Sequence, residues 1–331
     1  MKAIVLFSGG LDSLLALRII KDSGVELLAL NFVSPFCRCN RADGCSAVGQ
    51  LKKIGVDFRV FSLKQEYLEI VKAPKFGYGS NINPCLDCRI MMFKKAKEAM
   101  KDTGASFIIT GEVLGQRPMS QHMRQLGLIE KETGLSGLIL RPLSAKLLPQ
   151  TIPEKEGWIK REVLLDLSGR IRSPQIQMAK ELGINDYPCP SGGCLLTDPG
   201  FSRRMKDLMK YNKFSLEEIE LLKVGRHFRI SDRLKLVVGR NKEENKRILD
   251  FAKDGDVCFA PPDDVPGPTA VARGANGELA VDSLCAAIVA RYCDRKDEGR
   301  ILIEKCFSPK DVKTVLSVEP IMEDELDKLR I

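Results

Sequence analysis

Three groups of residues in this chain have types and spacings suited to chemistry. The first is Ser8-Gly9-Gly10-Leu11-Asp12-Ser13, set between an apolar run, Ala3 to Phe7, and a helical pattern, Leu14 to Lys21. A glycine-rich turn flanked by hydroxyls, where a strand hands over to a helix, can wrap a pyrophosphate while the helix dipole and free amides stabilise its charge. The turn lacks the Gly-Lys-Ser/Thr of a P-loop and the glycine spacing of a dinucleotide fingerprint, so neither γ-phosphoryl nor hydride transfer is indicated. The second group is two cysteine pairs, Asn83-Pro84-Cys85-Leu86-Asp87-Cys88-Arg89 and Pro188-Cys189-Pro190-Ser191-Gly192-Gly193-Cys194. Cys85 and Cys88 are expected on a loop just before a helix of Met91 to Met100, where the dipole and Arg89 favour thiolates. Pairs this far apart in sequence can converge on a metal or on one another. The third group, Cys37-Arg38-Cys39 with Cys45, could supply an extra metal site or a redox relay, or be loop thiols without function.

The elements that must position these groups alternate. Ala3 to Phe7, Glu26 to Phe32, Asp57 to Phe61, Ser106 to Thr110 and Leu138 to Leu140 read as strands. Leu14 to Lys21, Ala47 to Ile54, Met91 to Met100 and Ser173 to Leu182 read as helices. The pattern predicts an α/β, doubly wound parallel sheet over residues 1–198, with its ligand edge at the carboxyl ends of the strands. After Pro199-Gly200 it changes to a second domain of α+β type over 199–331. Helices are expected at Phe201 to Tyr211, Leu216 to Leu222, Lys242 to Ala252 and Val281 to Arg295. Strands are expected near Val224 to Ile230, Leu234 to Val238, Val257 to Ala260, Thr269 to Arg273 and Ile301 to Cys306.

Composition narrows the chemistry further. The 331 residues include 11 Cys but only two His, His122 and His227, which speaks against His-rich zinc hydrolases and Ser-His-Asp catalysis. Neither His has a carboxylate or Cys partner at motif spacing, so both read as structural or surface groups. Cys258, Cys285, Cys293 and Cys306 fall in apolar segments and read as core. No apolar run reaches the roughly 18–20 residues of a membrane span and no signal-peptide pattern follows Met1, so a cytoplasmic protein with reduced thiols and no membrane partner is expected.

Ser-Gly-Gly-x-Asp-Ser resembles the PP-loop of N-type ATP pyrophosphatases. The resemblance implies that Ser8, Gly9, Gly10 and Ser13 hold the phosphates of ATP and that Asp12 ligates Mg2+. Asn-Pro-Cys-x-x-Cys and the distal Ser-Gly-Gly-Cys are similar to tRNA 2-thiouridylases. Thr110-Gly111-Glu112-Val113-Leu114-Gly115-Gln116, with Leu140-Arg141-Pro142-Leu143, is similar to 4-thiouridine synthases. This resemblance implies that Cys88 and Cys194 are the catalytic pair and Cys85 a third cluster ligand, and that Gly111 and Gln116 contact the nucleotide. Sulfur would be held as a cysteine persulfide or on a [4Fe-4S] cluster with one open iron. Two readings compete with it: Cys85, Cys88, Cys189 and Cys194 as a closed zinc site, and ordinary buried thiols.

The chain carries a net charge of +8, unevenly spread. From Arg203 to Lys253 there are 15 basic and 8 acidic residues, against 10 and 16 from Asp254 to Ile331. The middle of the chain is therefore where a polyanion would sit, unless these are solvated helix faces. Leu236 to Asn245, Gly255 to Phe259 and Asp264 to Pro268 resemble the RNA-binding domain of NFACT proteins, although Cys258 and Ala260 stand where that family has an aromatic residue and a His. Arg226, Arg229, Arg233, Lys235 and Arg240 are the candidate phosphate contacts. Arg117, Arg124 and Lys131 could also lie under an RNA backbone or in a solvated loop.

The function expected is ATP-dependent tRNA sulfur transfer, with tRNA and a sulfur donor, a cysteine desulfurase or inorganic sulfide, as partners. An adenylating ligase or small-molecule sulfur inserter with structural zinc, and an ATP-sensing RNA-binding protein, are the alternatives.

Overall fold

In the computed structural model, residues 1–37, 40–41, 44–185, 187, 193–211, 214–275, 277–294, 299–307 and 313–331 are described. They form two compact units, Met1–Asp198 and Pro199–Ile331.

The first unit runs β1 (Lys2–Leu6), α1 (Leu11–Lys21), β2 (Glu26–Val33), a two-rung hairpin of β3 (Asn40–Arg41) and β4 (Gly44–Cys45), α2 (Ser46–Ile54), β5 (Asp57–Ser62), α3 (Gln65–Lys72), α4 (Cys85–Thr103), β6 (Phe107–Thr110), α5 (Met123–Thr133), β7 (Ile139–Leu140), α6 (Ile152–Lys155) and α7 (Ser173–Glu181). Five strands make one parallel sheet in the order β5-β2-β1-β6-β7. Strand period 2 puts Ala3, Val5 and Phe7 on one face, in a core with residues of α1, α2 and α7, and Ile4 and Leu6 on the other, with Ile90 and Phe93 of α4 and Ile129 of α5. Helices therefore cover both faces, as the alternating pattern requires. The chain leaves β1 toward β2 and β5, then returns to β6 on the other side. The order reverses between β1 and β6, and at such a switch point the loops after the two strands splay apart and leave a crevice.

Several elements differ from expectation. Helix α4 begins at Cys85 rather than Met91, and in its first turn the Asp87 carboxylate accepts from the Lys75 and Phe76 amides at 2.9 and 3.2 Å. The amphipathic helices α3 and α5, the short helix α6 and the β3–β4 hairpin are additions to the expected set.

The second unit runs α8 (Pro199–Lys210), α9 (Leu216–Leu221), β8 (Arg226–Arg229), β9 (Lys235–Val238), α10 (Lys242–Asp250), β10 (Val257–Ala260), β11 (Ala270–Arg273), α11 (Leu279–Ala290), β12 (Ile301–Cys306), β13 (Thr314–Val318) and α12 (Glu323–Leu329). Its sheet is antiparallel in the order β13-β12-β10-β11-β9-β8. Cys285, Ile288 and Val289 of α11 pack on one face with Phe228, Leu236 and Phe259. The edge strand β13, largely exposed, and α12 are further elements beyond those expected. As expected, Cys258, Cys285 and Cys293 are buried, with Cys306 half-buried at the rim. No helix among the described residues is long and apolar enough to cross a membrane.

Candidate active site

The turn after β1 carries the residues expected to bind phosphate. Gly9 has φ +75°, and a Cβ there would lie 2.8 Å from the Cβ of Ala47 in α2, so only glycine fits. Gly10 caps α1 without a side-chain cap, which leaves the first amides of the helix open for an anion. Ser13 donates its hydroxyl to the Gly10 carbonyl at 2.8 Å and stands 3.2 Å from the Ser8 hydroxyl, so the two hydroxyls face each other at the mouth of the turn.

Asp12 is the most heavily engaged group here. Its Oδ2 accepts from Gln116 Nε2 at 2.7 Å and from Arg172 Nη2 at 2.9 Å, and Gln175 Nε2 in turn donates to Gln116 Oε1 at 3.1 Å. Its Oδ1 is buried and has no hydrogen-bond partner. A buried carboxylate oxygen left unpaired is costly unless a donor or cation meets it, so Asp12 fits a hard cation such as Mg2+. Gln116 thus acts through Asp12. Gly111 serves the same place by allowing contact: a Cβ on it would lie 2.5 Å from both Asp12 C and Ser13 N, so the loop after β6 lies directly against the start of α1.

The cysteines gather beside this turn. Cys85 and Cys88 occupy the first turn of α4, three residues apart and hence on one face. Cys194 precedes a short 3-10 turn, Leu195–Thr197, and is antiparallel to Cys37 in an isolated bridge, with Leu195 N donating to Phe36 O at 2.9 Å. Tyr67 of α3, buried edge-on against Phe36, lies between the two sides: burial raises its hydroxyl pKa well above the usual value, and the neighbouring Cys88, Cys194 and Cys85 raise it further. Asn81, in the left-handed region at φ +58°, donates its side-chain amide to the Thr197 carbonyl at 2.8 Å and so ties the segment before Cys85 to the Cys194 turn.

Arg117 lies between the cysteines and the turn after β1. Its side chain is exposed to solvent; desolvation and then neighbouring Arg89 lower its pKa, while Cys85 and Asp12 both oppose that change. One guanidinium therefore feels the thiol pair and the PP-loop carboxylate together. Arg89 is anchored by the buried Glu112, 3.4 Å away, which also accepts from Arg141 Nε at 3.1 Å.

One electrostatic expectation is reversed. Burial pushes the Cys88 thiol up despite neighbouring Tyr67 and Arg89, burial likewise raises Cys85 against Arg117 and Arg89, and Cys194 is pushed up to about 12 by burial. Desolvation outweighs the helix end and the arginines, so the bare thiols stay protonated.

The four-sulfur zinc set includes Cys189, which lies outside the described residues, as does Cys39; of Cys45 only the backbone is described. Among the described residues, no three Cys, His, Asp or Glu side chains stand in a metal-holding arrangement. The sulfurs of Cys85, Cys88 and Cys194 converge without forming a ready cluster or zinc site.

In the second unit, most of the expected phosphate contacts are engaged by the protein. Arg226 lies over the Tyr292 ring at 4.3 Å and donates to Gly239 O, Arg229 forms a fork with Asp207, and Arg240 pairs with Glu244. Arg233 is exposed. Lys235 needs correction as a phosphate contact: it is 7% exposed, with Nζ 3.5 Å from Asp207, because strand β9 is covered on both faces. His227 is buried with Nε2 2.7 Å from Val224 O, and His122 is exposed, so both are structural or surface groups. Sequence reading missed Tyr67, Asn81, Arg172 and Gln175.

The first unit is thus an α/β domain with a five-stranded parallel sheet and this turn at its switch point, and a separate antiparallel-sheet domain follows it. Residues 1–146 match the family described as thiamine biosynthesis protein (ThiI), and residues 225–330 match the NFACT protein RNA binding domain. The chain is 33% identical over 144 residues to a probable tRNA sulfurtransferase of Lysinibacillus sphaericus, covering 43% of this chain and 34% of that protein. It is 32% identical over 127 residues to the tRNA-specific 2-thiouridylase MnmA of Nitratidesulfovibrio vulgaris, covering 35% and 36%. A 4-thiouridine synthetase solved with RNA and bound ATP aligns at 22% identity and TM-score 0.38, over 66% of this chain and 53% of that one. The chain thus resembles PP-loop tRNA-thiolation enzymes over its first unit and the NFACT protein RNA binding domain over residues 225–330, while spanning about a third of the length of these two curated relatives.

Proposed function

We propose that this protein is an ATP-dependent tRNA sulfurtransferase that adenylates a uridine carbonyl and replaces its oxygen with sulfur. The observation that supports the reading is that Asp12 and Cys85 both lie near enough to Arg117 to act on its charge, which favours nucleotide activation and soft-sulfur chemistry sharing one cleft.

ATP enters with its phosphates against the α1 amides and the Ser8 and Ser13 hydroxyls; Asp12, whose Oδ1 is unpaired, would hold Mg2+, which when bound would supply positive charge to the phosphates. The uridine oxygen attacks the α-phosphorus. Pyrophosphate leaves, its charge met by the helix end and the arginines. Arg172 and Gln116 hold Asp12 through Oδ2 and leave Oδ1 open. A second thiol attacks the cysteine persulfide, forming a disulfide and freeing the terminal sulfur as hydrosulfide; the hydrosulfide attacks the activated carbon, and AMP departs with the original oxygen. The base must reach the cleft unstacked, which favours a loop uridine or a locally opened helix. The second unit holds the RNA through Arg226, Arg233 and Arg240, with the outer edge of Arg229. Sulfur is carried as a persulfide; a [4Fe-4S] cluster on Cys85, Cys88 and Cys194 is the second form. The convergence of three soft sulfurs favours that form, but their arrangement does not, so no step is assigned to it. A desulfurase or inorganic sulfide supplies the sulfur.

The test is incubation of the protein with tRNA, ATP, Mg2+ and a persulfide donor, followed by mass spectrometry of nucleosides. Thiouridine with one AMP and one pyrophosphate per sulfur is expected, and Cys194→Ala should abolish it. ATP and tRNA binding without AMP or thionucleoside would overturn the reading in favour of an ATP-sensing RNA-binding protein.

A further inference from the structure

We propose that Cys37 is the thiol partner of Cys194: it attacks the sulfur of Cys194 when that residue carries a persulfide, forms a Cys37–Cys194 disulfide, and expels the terminal sulfur as hydrosulfide. The inference rests on the sulfur-transfer reading above.

The geometry comes from the backbone. Cys37 and Cys194 are directly opposite each other in an isolated antiparallel bridge, flanked by the bond from Leu195 N to Phe36 O at 2.9 Å. A flanking bond of that kind marks a non-hydrogen-bonded pair, in which Cα atoms stand about 4.5 Å apart and the side chains leave the same face. Disulfides span Cα separations of about 4.4–6.8 Å, so this pair can close without moving the chain. Phe36 fixes the register, since it is fully buried and packs edge-on against Tyr67 with ring centroids 5.7 Å apart. Both cysteines are half-exposed, which leaves them open to a sulfur donor and to a reductant.

Cys88 is held differently. It sits in the first turn of a helix beside Tyr67, and among the described residues no backbone pairing puts it in register with Cys194. Among the described cysteines, Cys37 alone has its backbone paired with Cys194.

The atoms balance. The Cys37 thiolate forms a bond to Sγ of Cys194, and the bond from that Sγ to the terminal sulfur breaks. The terminal sulfur takes the electron pair and leaves as hydrosulfide, reduced from the sulfane level, while the two cysteine sulfurs become a disulfide. Hydrosulfide is released beside the cleft, where it can attack the adenylated carbon. A dithiol reductant then restores both thiols.

The experiment needs neither tRNA nor ATP. The reduced full chain is treated with inorganic polysulfide, freed of excess reagent, and assayed for hydrosulfide with a bimane reagent and for cross-links by tryptic mass spectrometry. Cleavage after Arg38 separates Cys37 from Cys39, and fragmentation separates Cys189 from Cys194. Wild-type protein should release about one hydrosulfide per chain and yield a Cys37–Cys194 link that dithiothreitol removes. Cys37→Ser and Cys37→Ala, each checked for folding by circular dichroism, should cut release at least tenfold and retain the persulfide, while Cys39→Ser behaves as wild type. A link from Cys88 or Cys189 to Cys194 in place of Cys37, or unchanged release in both Cys37 variants, would overturn the proposal. If the link and hydrosulfide appear but no thiouridine forms with tRNA and ATP, the thiol pairing stands and the sulfur-transfer reading fails.

Discussion

The Asn81 side chain donates to the Thr197 carbonyl at 2.8 Å across 116 residues of sequence, and this bond fastens the approach to Cys85 and Cys88 onto the turn that presents Cys194. Asn81 holds that position at the expense of a left-handed backbone, φ +58°. Asn81→Gly removes the amide while easing the backbone. One neutral hydrogen bond is worth about 0.5–1.5 kcal/mol, so the variant should stay folded with a loss of that order. The expected signature is selective: thiouridine formed per AMP falls about tenfold, while ATP affinity measured by calorimetry is unchanged. Equal losses in both would mean that the tether does not serve the sulfur side.

At the other end of the cleft, Arg172 should show the converse. It holds Asp12 from the N-cap of α7, 160 residues away, and places a positive charge directly on the PP-loop carboxylate. Arg172→Met should lower the rate of tRNA-dependent AMP formation by about 10²-fold, in the range found when one oriented donor is removed from a charge-developing site. Thiouridine per AMP should not change. Single-turnover assays with radiolabelled ATP separate the two ratios.

These two residues mark where sequence reading stops. The PP-loop, the strand and helix alternation and the cysteine pairs are legible because each is local: a period of 2 or 3.6, a glycine turn, a two-residue spacing. Arg172, Gln175 and Tyr67 carry no local signal, and their roles follow from the return of α7 and α3 to the carboxyl edge of the sheet. Helix α4 starts six residues ahead of its expected place, although Asp87 in its first turn is an ordinary N-terminal signal. The basic stretch is legible as charge but not as surface. Strand β9 is covered on both faces, which buries Lys235, and the acidic residues that engage Arg229 and Arg240 come from helices whose packing the composition does not specify.

Two glycines with opposite surroundings test the packing of the nucleotide site. Gly111→Ala would force a Cβ to 2.5 Å from the backbone of Asp12 and Ser13. No flexible side chain can yield there, so the expected cost is about 1–3 kcal/mol, with a loss of ATP affinity of at least tenfold as the start of α1 is displaced. Gly127→Ala, inside α5 with nothing within 4 Å of the new Cβ, should instead gain up to about 1 kcal/mol and leave ATP binding unchanged. Urea denaturation and ATP titration of both variants check the pair.

Lys235 makes stability of the second unit depend on pH. Burial lowers its pKa from 10.5 to about 8. Below about pH 8 both folded and unfolded states hold the proton, and the cost of burying the charge is fully present. Between about 8 and 10.5 the unfolded chain binds more protons than the folded one, so stability rises with pH over that window. Lys235→Met should raise stability at pH 7 by about 1–3 kcal/mol, since a tenfold change in proton affinity is worth about 1.4 kcal/mol and the attraction to Asp207, absent in the variant, offsets part of the gain. It should also flatten the rise above pH 8. Hydrogen exchange of peptides from 199–331 in the full chain reports both; a variant less stable at pH 7 would show that the Asp207 pairing outweighs the burial of the ammonium.

Arg233 and Arg240 bear on the polyanion reading. Arg233 is exposed, and Arg240 reaches solvent past its pair with Glu244, so each can meet a phosphate, whereas Lys235 cannot. Removing one cation from a phosphate lowers the slope of log affinity against log salt by about 0.7–0.9. Arg233→Ala and Arg240→Ala should each reduce that slope for tRNA by this amount, weaken binding similarly for unrelated tRNAs, and leave thiouridine per bound tRNA unchanged. Lys235→Met should leave the slope where it was. If instead both arginine variants keep the wild-type slope, the RNA lies on another face of the second unit, and the excess of basic residues from 203 to 253 is a set of solvated or paired side chains.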